Sequence, residues 1–518
     1  MSSDTTTPNQ ERLARNTVVL YMRTVLMLAI SLYTSRVVLR VLGVDDFAIY
    51  SIIGNFVATF TIVTATLTMA SQRFITVEIG RGTETDIRRT FNTSLNLHLI
   101  MAVLLIIVCE VIGLWYINEK MVLPSARIEA AQVVFHCSLI AFLFQFISIP
   151  YTSLIIAYEQ MGAWAWISIV EVLLKLGGAI ALLLLPVGYD NLVWYAIFLV
   201  AAAIVVRIIY GVYCHYKYPF CAYQWKIDIS QMRQMSAFMG WNVLGTGADI
   251  MSKQCITLLL NAFFALSVNA ARGIAIQVES AVTNFTRQIS MAFNPQITKS
   301  FAKEEYERAN QLVCQGAKLG FFFFLVVAIP LIVETPAILK GWLDRYPGYT
   351  VTFVRLSLMC NMILSLSYTI DAWIFASGKI RSLQIWTAIL LTACFPISYI
   401  SFRMGLPPYY CYLALMLMTT ALLVVKIHIA SRLVPAQFVG FYDMIIKKCL
   451  PTTMLSIVFP LFMHYMIQNS SYATSLTVVL GCCLLYVIWS VGVIATIGLD
   501  RKERKKMFQY IHKRICPQ

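Results

Sequence analysis

The chain has 518 residues, 59% hydrophobic and only 13% charged, with a mean hydropathy of +0.73 and a formal net charge of +15. A soluble protein of this length needs far more charge to cover its surface, so the composition points to a polytopic membrane protein. The 13 cysteines are scattered, mostly in apolar segments and without CxxC spacing, which argues against a disulfide framework or a zinc site.

The polar start, MSSDTTTPNQERLARN, has no apolar stretch ending in a small-residue cleavage site, so residues 1–16 are expected to be a cytoplasmic segment. A spanning helix needs about 20 mainly apolar residues. That length predicts fourteen helices: 17–42, 47–70, 92–116, 130–156, 163–185, 191–213, 236–262, 268–294, 312–334, 351–376, 383–402, 409–431, 451–467 and 475–498. The first, seventh and eighth are the most polar. Residues 17–213 form a first group of six and 236–432 a second, joined by a cytoplasmic linker at 214–235. Helices 13 and 14 fall in 433–499, followed by a basic cytoplasmic tail at 500–518.

Basic residues assign the sides. With the N-terminus inside, 24 Lys and Arg fall in cytoplasmic segments and six (Arg40, Lys120, Arg127, Lys340, Arg345 and Arg403) on the other side. Both termini are therefore expected in the cytoplasm. The positive charge is a matter of topology and of attraction to anionic membrane lipids, and no nucleic-acid partner is expected. The outer loops are short, so no extramembrane catalytic domain is expected. No Walker A motif supports ATP hydrolysis, and the six histidines show no metal-binding spacing.

An internal repeat is visible. Arg36 in LYTSRVVL and Lys253 in DIMSKQCITLLL are 217 residues apart, as are Tyr151-Thr152 and Tyr368-Thr369, and Tyr195 and Tyr412. Three matches at one offset indicate a duplication of six helices. An even number of helices keeps both copies in the same orientation, the arrangement of parallel repeats used for alternating access.

The stretches SLYTSRVVLRVLGVDDFAIYSIIGNF, ASQRFITVEIGRG, VNAARGIAIQVESAV and FNPQITKSFA, with IIAYEQMGAW and FASGKI, resemble the polysaccharide (O-antigen, Wzx-type) flippases of the MOP exporter superfamily. The resemblance implies an all-α integral membrane protein: two six-helix lobes in a V (MATE/MOP-like) plus two C-terminal helices, with helices 1, 2, 7 and 8 lining a cavity. It implies a non-enzymatic role in the bacterial inner membrane, moving polyprenyl-pyrophosphate-linked oligosaccharide to the outer leaflet for surface polysaccharide synthesis. The implied partners are that cargo, membrane lipids, and the polymerase and glycosyltransferases of the pathway. No cofactor is implied beyond a proton or sodium gradient or the membrane potential.

Charged residues within the spans are the candidate site. Arg36 suits a pyrophosphate, because a guanidinium donates paired hydrogen bonds to phosphate oxygens and stays charged when desolvated. Its repeat mate Lys253 has the same reading, against a local ion pair with Asp249 four residues earlier. Arg272 and Glu279, seven residues apart on the eighth helix, either line the cavity or form salt bridges; Arg287 lies further along. Arg23 either lines the cavity or extends to the headgroups. Asp371 and Glu110 stand alone in sequence, as protonation sites or structural acids. Asp45 and Asp46 read best as a helix N-cap after a tight turn, against a metal or base role in a glycosyltransferase.

Two other functions compete. A cation-coupled multidrug exporter of the same superfamily needs only twelve helices. A membrane glycan polymerase or ligase has no evident need for the duplication or for such short outer loops. In a cysteine-free background, single cysteines placed at Lys120 and Lys505 are expected to label from opposite sides of the membrane. Labelling of both by an impermeant outside reagent would overturn the topology.

Overall fold

The computed structural model describes residues 7–58, 60–119, 127–184, 190–221, 223–224, 228–264, 266–343, 345–434, 438–468, 476–500 and 503–504. Among these the regular structure is all helical. Eleven helices there are long and apolar enough to cross a membrane. The expected spans 236–262 and 268–294 are also helical but too polar to be counted with them, and 47–70 is divided between two helices, Thr7–Ala58 and Thr61–Arg81. The chain divides into two compact units, Met1–Thr246 and Gly247–Gln518.

The first unit holds α1 (Thr7–Ala58), α2 (Thr61–Arg81), α3 (Glu84–Glu119), α4 (Ile128–Ala157), α5 (Met161–Ala181) and α6 (Asn191–Lys217). The helix α7 (Ile229–Phe263) runs on into the second unit. There follow α8 (Leu266–Ala302), α9 (Tyr306–Val333), α10 (Thr335–Leu343), α11 (Thr350–Ser365), α12 (Tyr368–Ser377), α13 (Arg381–Arg403) and α14 (Tyr410–Leu433). The last are the short α15 (Phe441–Met444), α16 (Leu450–Gln468) and α17 (Leu476–Val493). Moved along by 217 residues, α4 overlies the α11–α12 stretch, α5 overlies α13, and α6 overlies α14. Tyr195 and Tyr412, 217 apart, are both buried in the cores of their units.

Two boundaries differ from the expectation. The turn expected at 43–46 is a kink within α1, at Gly43, whose φ of +77° is cheap only for glycine. The second expected helix continues to Arg81, broken between Ala58 and Thr61. Its extension SQRFITVEIG, beyond the expected span, is helical with Phe74, Ile75 and Val77 buried. The corresponding NPQITKSFA extends α8, which at 37 residues is about 55 Å long. An amphipathic sequence in either connection can form a loop on the membrane or prolong a helix. Here its apolar face found a core to pack against.

In the first unit, Val38, Leu42, Ile49 and Ile53 of α1 pack with Val134 and Phe135 of α4 and with Leu192 and Tyr195 of α6. Gly113 of α3 lies against Phe135; a Cβ there would fall 2.1 Å from Phe135 Cζ, so only glycine allows this approach. Arg127, just before α4, joins three elements at their ends. Its Nη2 donates to Asp46 of α1 at 2.7 Å and its Nη1 to Asp190 at 2.6 Å, while Asp190 also caps α6 by accepting from the Leu192 N–H at 3.0 Å. Asp46 thus has a partner that its expected capping role did not include. Its buried carboxylate serves a guanidinium 81 residues away, a pairing that local capping logic cannot see. The Asp45 side chain lies outside the described residues.

In the second unit, Ile256, Leu260 and Ala271 pack with Phe324, Phe353, Leu358, Cys394 and Tyr412 around one core. The helices α16 and α17 pack along α9. At the end of α9, buried Glu334 accepts from Tyr486 Oη of α17 at 2.9 Å, and its Oε1 lies 3.0 Å from His464 Nδ1 of α16. Arg355 of α11 satisfies the last α9 carbonyls, Nε donating to Ile332 O at 2.8 Å and Nη2 to Val333 O at 3.2 Å.

Arg127→Met would leave two carboxylates without their cation. A broken buried pair costs 3–5 kcal/mol, and exposure of the arginine reduces this to about 2 kcal/mol. The thermal midpoint in detergent should fall accordingly, whereas Arg403→Met should leave it nearly unchanged. Equal midpoints for the two variants would remove the clamp.

Candidate functional site

In the first unit, Arg36 lies within the apolar span Asn16–Gly43, exposed on α1. Among the described residues it makes no ion pair or hydrogen bond, and the hydroxyls beside it are turned to their own helix. Thr34 Oγ1 donates to Ile30 O at 2.7 Å and Ser35 Oγ to Ser31 O at 3.0 Å. Arg40, one turn on, is also exposed. Arg23 is different. Its guanidinium lies 3.7 Å over the Trp164 ring of α5 and within electrostatic reach of Tyr210 and Glu171. It is half-buried between helices of its own unit, a packing role rather than an extended headgroup contact. Glu171 itself forms the short-range pair with Lys175, at 2.7 Å.

In the second unit, Lys253, Arg272 and Glu279 form one polar cluster. Arg272 of α8 is 4% exposed; its Nε donates to Thr257 Oγ1 at 3.1 Å and its Nη2 to the Lys253 carbonyl at 2.9 Å, both on α7. The guanidinium also sits 5.6 Å from the Tyr412 ring centre. A buried arginine tied to α7 by two bonds holds α7 and α8 in register. Lys253 Nζ pairs with Asp249 at 3.1 Å, with both side chains about half exposed. Glu279 is half-buried on α8 and within electrostatic reach of Lys253, Arg272 and Asp249, with Asn361 of α11 as a hydrogen-bonding neighbour. Asn361 in turn donates to Ser357 O at 3.0 Å. Arg287 is exposed at a separate position, 5.7 Å from the Tyr368 ring centre.

The acids that stand alone in sequence have partners in space. Lys426 of α14, 7% exposed, donates to Asp371 Oδ2 at 2.8 Å and to Ser367 Oγ at 3.2 Å, where α11 gives way to α12. Glu110 Oε1 lies 3.0 Å from His136 Nδ1. Neither partner was singled out in the sequence, because Lys426 lies 55 and His136 26 residues from its acid. The one available signal was that Lys426 is itself a cation inside an apolar span.

No known family profile matches the chain, and no curated protein matches it in sequence. Solved structures do match its fold. They include MATE in the bent conformation (12% identity, 82% of this chain, 96% of that chain, TM-score 0.70). A multidrug resistance MATE family transporter of the MOP superfamily, in an outward-facing conformation, aligns with TM-score 0.68, at 12% identity over 82% of this chain and 96% of its own. The Vibrio cholerae MATE transporter VcmN aligns with TM-score 0.65, at 17% identity over 84% of this chain and 100% of its own. A MOP superfamily transporter from Pyrococcus furiosus, described as having a binding pocket of reverse polarity that suggests a different function, aligns with TM-score 0.64 and 12% identity over 82% of this chain and 96% of its own. The fold is that of the MATE-type transporters of the MOP superfamily, a multi-pass membrane protein.

The two cationic positions in the second unit should separate in stability. Hydrogen bonds to a charged group contribute about 1.5–3 kcal/mol, while an exposed ion pair contributes about 0–1 kcal/mol. Arg272→Met should therefore lower the thermal midpoint clearly and Lys253→Met hardly at all. The reverse order would show Lys253 to be the structural member.

Proposed function

We propose that this protein is a flippase that moves polyprenyl-pyrophosphate-linked oligosaccharide from the cytoplasmic to the outer leaflet of the bacterial inner membrane by alternating access. It has both termini in the cytoplasm, supplies surface polysaccharide synthesis, and performs no covalent chemistry. The charge balance of the spans carries this reading. Asp371, Glu110, Asp46 and Glu334 each face a lysine, arginine or histidine of their own unit, whereas Arg36 is exposed in an apolar span without one. An uncompensated cation in lipid is expensive, and an anionic cargo is the partner that would relieve it. Pyrophosphate fits, since the planar fork can grip two of its oxygens. Lys253 and Arg287, both exposed, are the further candidates for cargo contact; Arg272, Glu279 and Arg23 position helices.

The multidrug reading is favoured by the fold shared with a multidrug resistance transporter. A cationic drug, however, asks for an uncompensated acid. Asp249 is paired with Lys253, and Glu279 lies within reach of both Lys253 and Arg272. The fold itself tolerates either polarity, as the description of the Pyrococcus furiosus transporter illustrates.

Deleting the gene should accumulate lipid-linked oligosaccharide and remove surface polysaccharide. Reintroduced Arg36→Ala should fail to restore it at near-normal protein abundance, with flipping slowed more than roughly tenfold, and Arg36→Lys should restore part. Normal polysaccharide together with drug hypersensitivity in the deletion strain would replace the flippase by the exporter.

A further inference from the structure

A second cationic site lies in the second unit, where α9 passes the ends of the C-terminal helices. Lys318 of α9 is 4% exposed, within the span Tyr306–Val333. Its ammonium reaches into a cleft of about 330 Å³ also lined by Gln311, Gln315, Lys447 and Lys448. The chain's own end fills the charge requirement. Lys318 Nζ donates to Glu503 Oε2 at 2.6 Å, to Glu503 Oε1 at 2.8 Å and to Asp500 Oδ2 at 3.3 Å, and Asp500 Oδ1 pairs with Lys448 at 2.8 Å. The hydrogen bond from Lys448, with Lys318 adding its charge, holds the Asp500 carboxyl below the usual carboxylate range, so it is ionised near neutral pH.

The charges in this cleft divide in a telling way. Lys447 is already matched by Asp443, one turn away at 2.8 Å. That leaves Lys318 and Lys448, two positive charges, opposite two carboxylates that come from beyond the last span, Thr477–Gly498. A buried lysine is a fixed demand for negative charge, since leaving it unpaired is strongly unfavourable. Acids that are themselves open to solvent, Asp500 at 56% and Glu503 at 26%, are a replaceable way of meeting it, because an outside anion can reach the same ammonium groups. Two carboxylates beside two ammonium groups present the oxygens and the charge of one phosphate, and the glutamine amides can donate to its remaining oxygens. The cleft also lies at the ends of the spans Phe441–Met466 and Thr477–Gly498, the depth at which lipid phosphates occur.

We infer that this cleft is a phosphate-binding site closed by the chain's own C-terminal acids, which occupy the place of a ligand's phosphate group, either an anionic phospholipid headgroup or a free phosphate. Binding and tail docking then exclude one another: a phosphate on Lys318 and Lys448 releases Asp500 and Glu503, and with them the basic DRKERKK segment. The site is independent of the cargo, so its failure would leave the flippase reading untouched.

The test uses the full chain in nanodiscs and follows tryptic loss of the C-terminal peptide by mass spectrometry. In phosphatidylcholine alone the docked Asp500 and Glu503 should protect the cut after Arg504. Phosphatidic acid in the disc should speed the cut several-fold if the ligand is a lipid headgroup. Inorganic phosphate in neutral discs should do so if it is free phosphate. Acceleration by neither overturns the site. Asp500→Asn with Glu503→Gln should be cut rapidly in phosphatidylcholine and should retain more phosphatidic acid in native mass spectrometry. Lys318→Met should also be cut rapidly but lose that retention. Wild-type cutting of the double variant, or undiminished lipid retention by Lys318→Met, would equally overturn the proposal.

Discussion

A charged side chain at the centre of a bilayer costs about 2.5–3.5 kcal/mol by insertion measurements, and more by other estimates. This protein holds several charged groups within or beside its spans, and the same constraint, weaker toward the span ends, sorts them. Most find a partner within their own unit: Asp371 an ammonium from Lys426, Asp46 the guanidinium of Arg127, Glu334 the His464 ring and the Tyr486 hydroxyl, and Lys318 the carboxylates of Asp500 and Glu503. Arg272 is satisfied by a threonine hydroxyl and a backbone carbonyl. Among the described residues Arg36 has none of these solutions, nor has Arg40 one turn on; the functional proposal turns on Arg36 because it lies further from the end of the span.

The paired charges also explain how long polar helices stand in this fold. The helices α7 and α8 carry too many polar side chains to read as ordinary spans, yet they are among the longest in the chain. Arg272 fastens one to the other, and their apolar faces enter the core around Phe353 and Tyr412. Polarity along one face of a helix is tolerable when the other face is buried and the polar groups find partners or water. The same logic applies to α1, where Arg23 spends its charge over the Trp164 ring.

The C-terminal helices are joined to α9 by two polar contacts of different kinds. At the Glu334 end, an imidazole and a phenol from α16 and α17 converge on one buried carboxylate. At the Lys318 end, the cation belongs to α9 and the acids come from beyond α17. The 16 residues between Lys318 and Glu334 correspond to about 24 Å of helix, so the two contacts lie near opposite ends of a span. The first is made on a buried carboxylate, whereas the acids of the second are open to solvent, and that difference makes only the second exchangeable.

The membrane class, the all-helical fold and most helix positions were legible in the sequence, because about 20 apolar residues in a row have few other destinations. The 217-residue offset was legible too, since Arg36 and Lys253, Tyr151 and Tyr368, and Tyr195 and Tyr412 keep their spacing. Local pairs at helical spacing, Lys253 with Asp249 and Lys175 with Glu171, could be read from i and i+4 alone. The tertiary structure decided everything that depends on distant neighbours. It gave Asp46 a partner in Arg127, Asp371 one in Lys426 and Glu110 one in His136, and it tied Arg272 to α7. It also prolonged helix into the two connections after the second and eighth expected spans, by supplying a core for their apolar faces. The reason is the same in each case: a charge or an apolar face sets a requirement that the sequence displays, but which group meets it depends on which helices pack together.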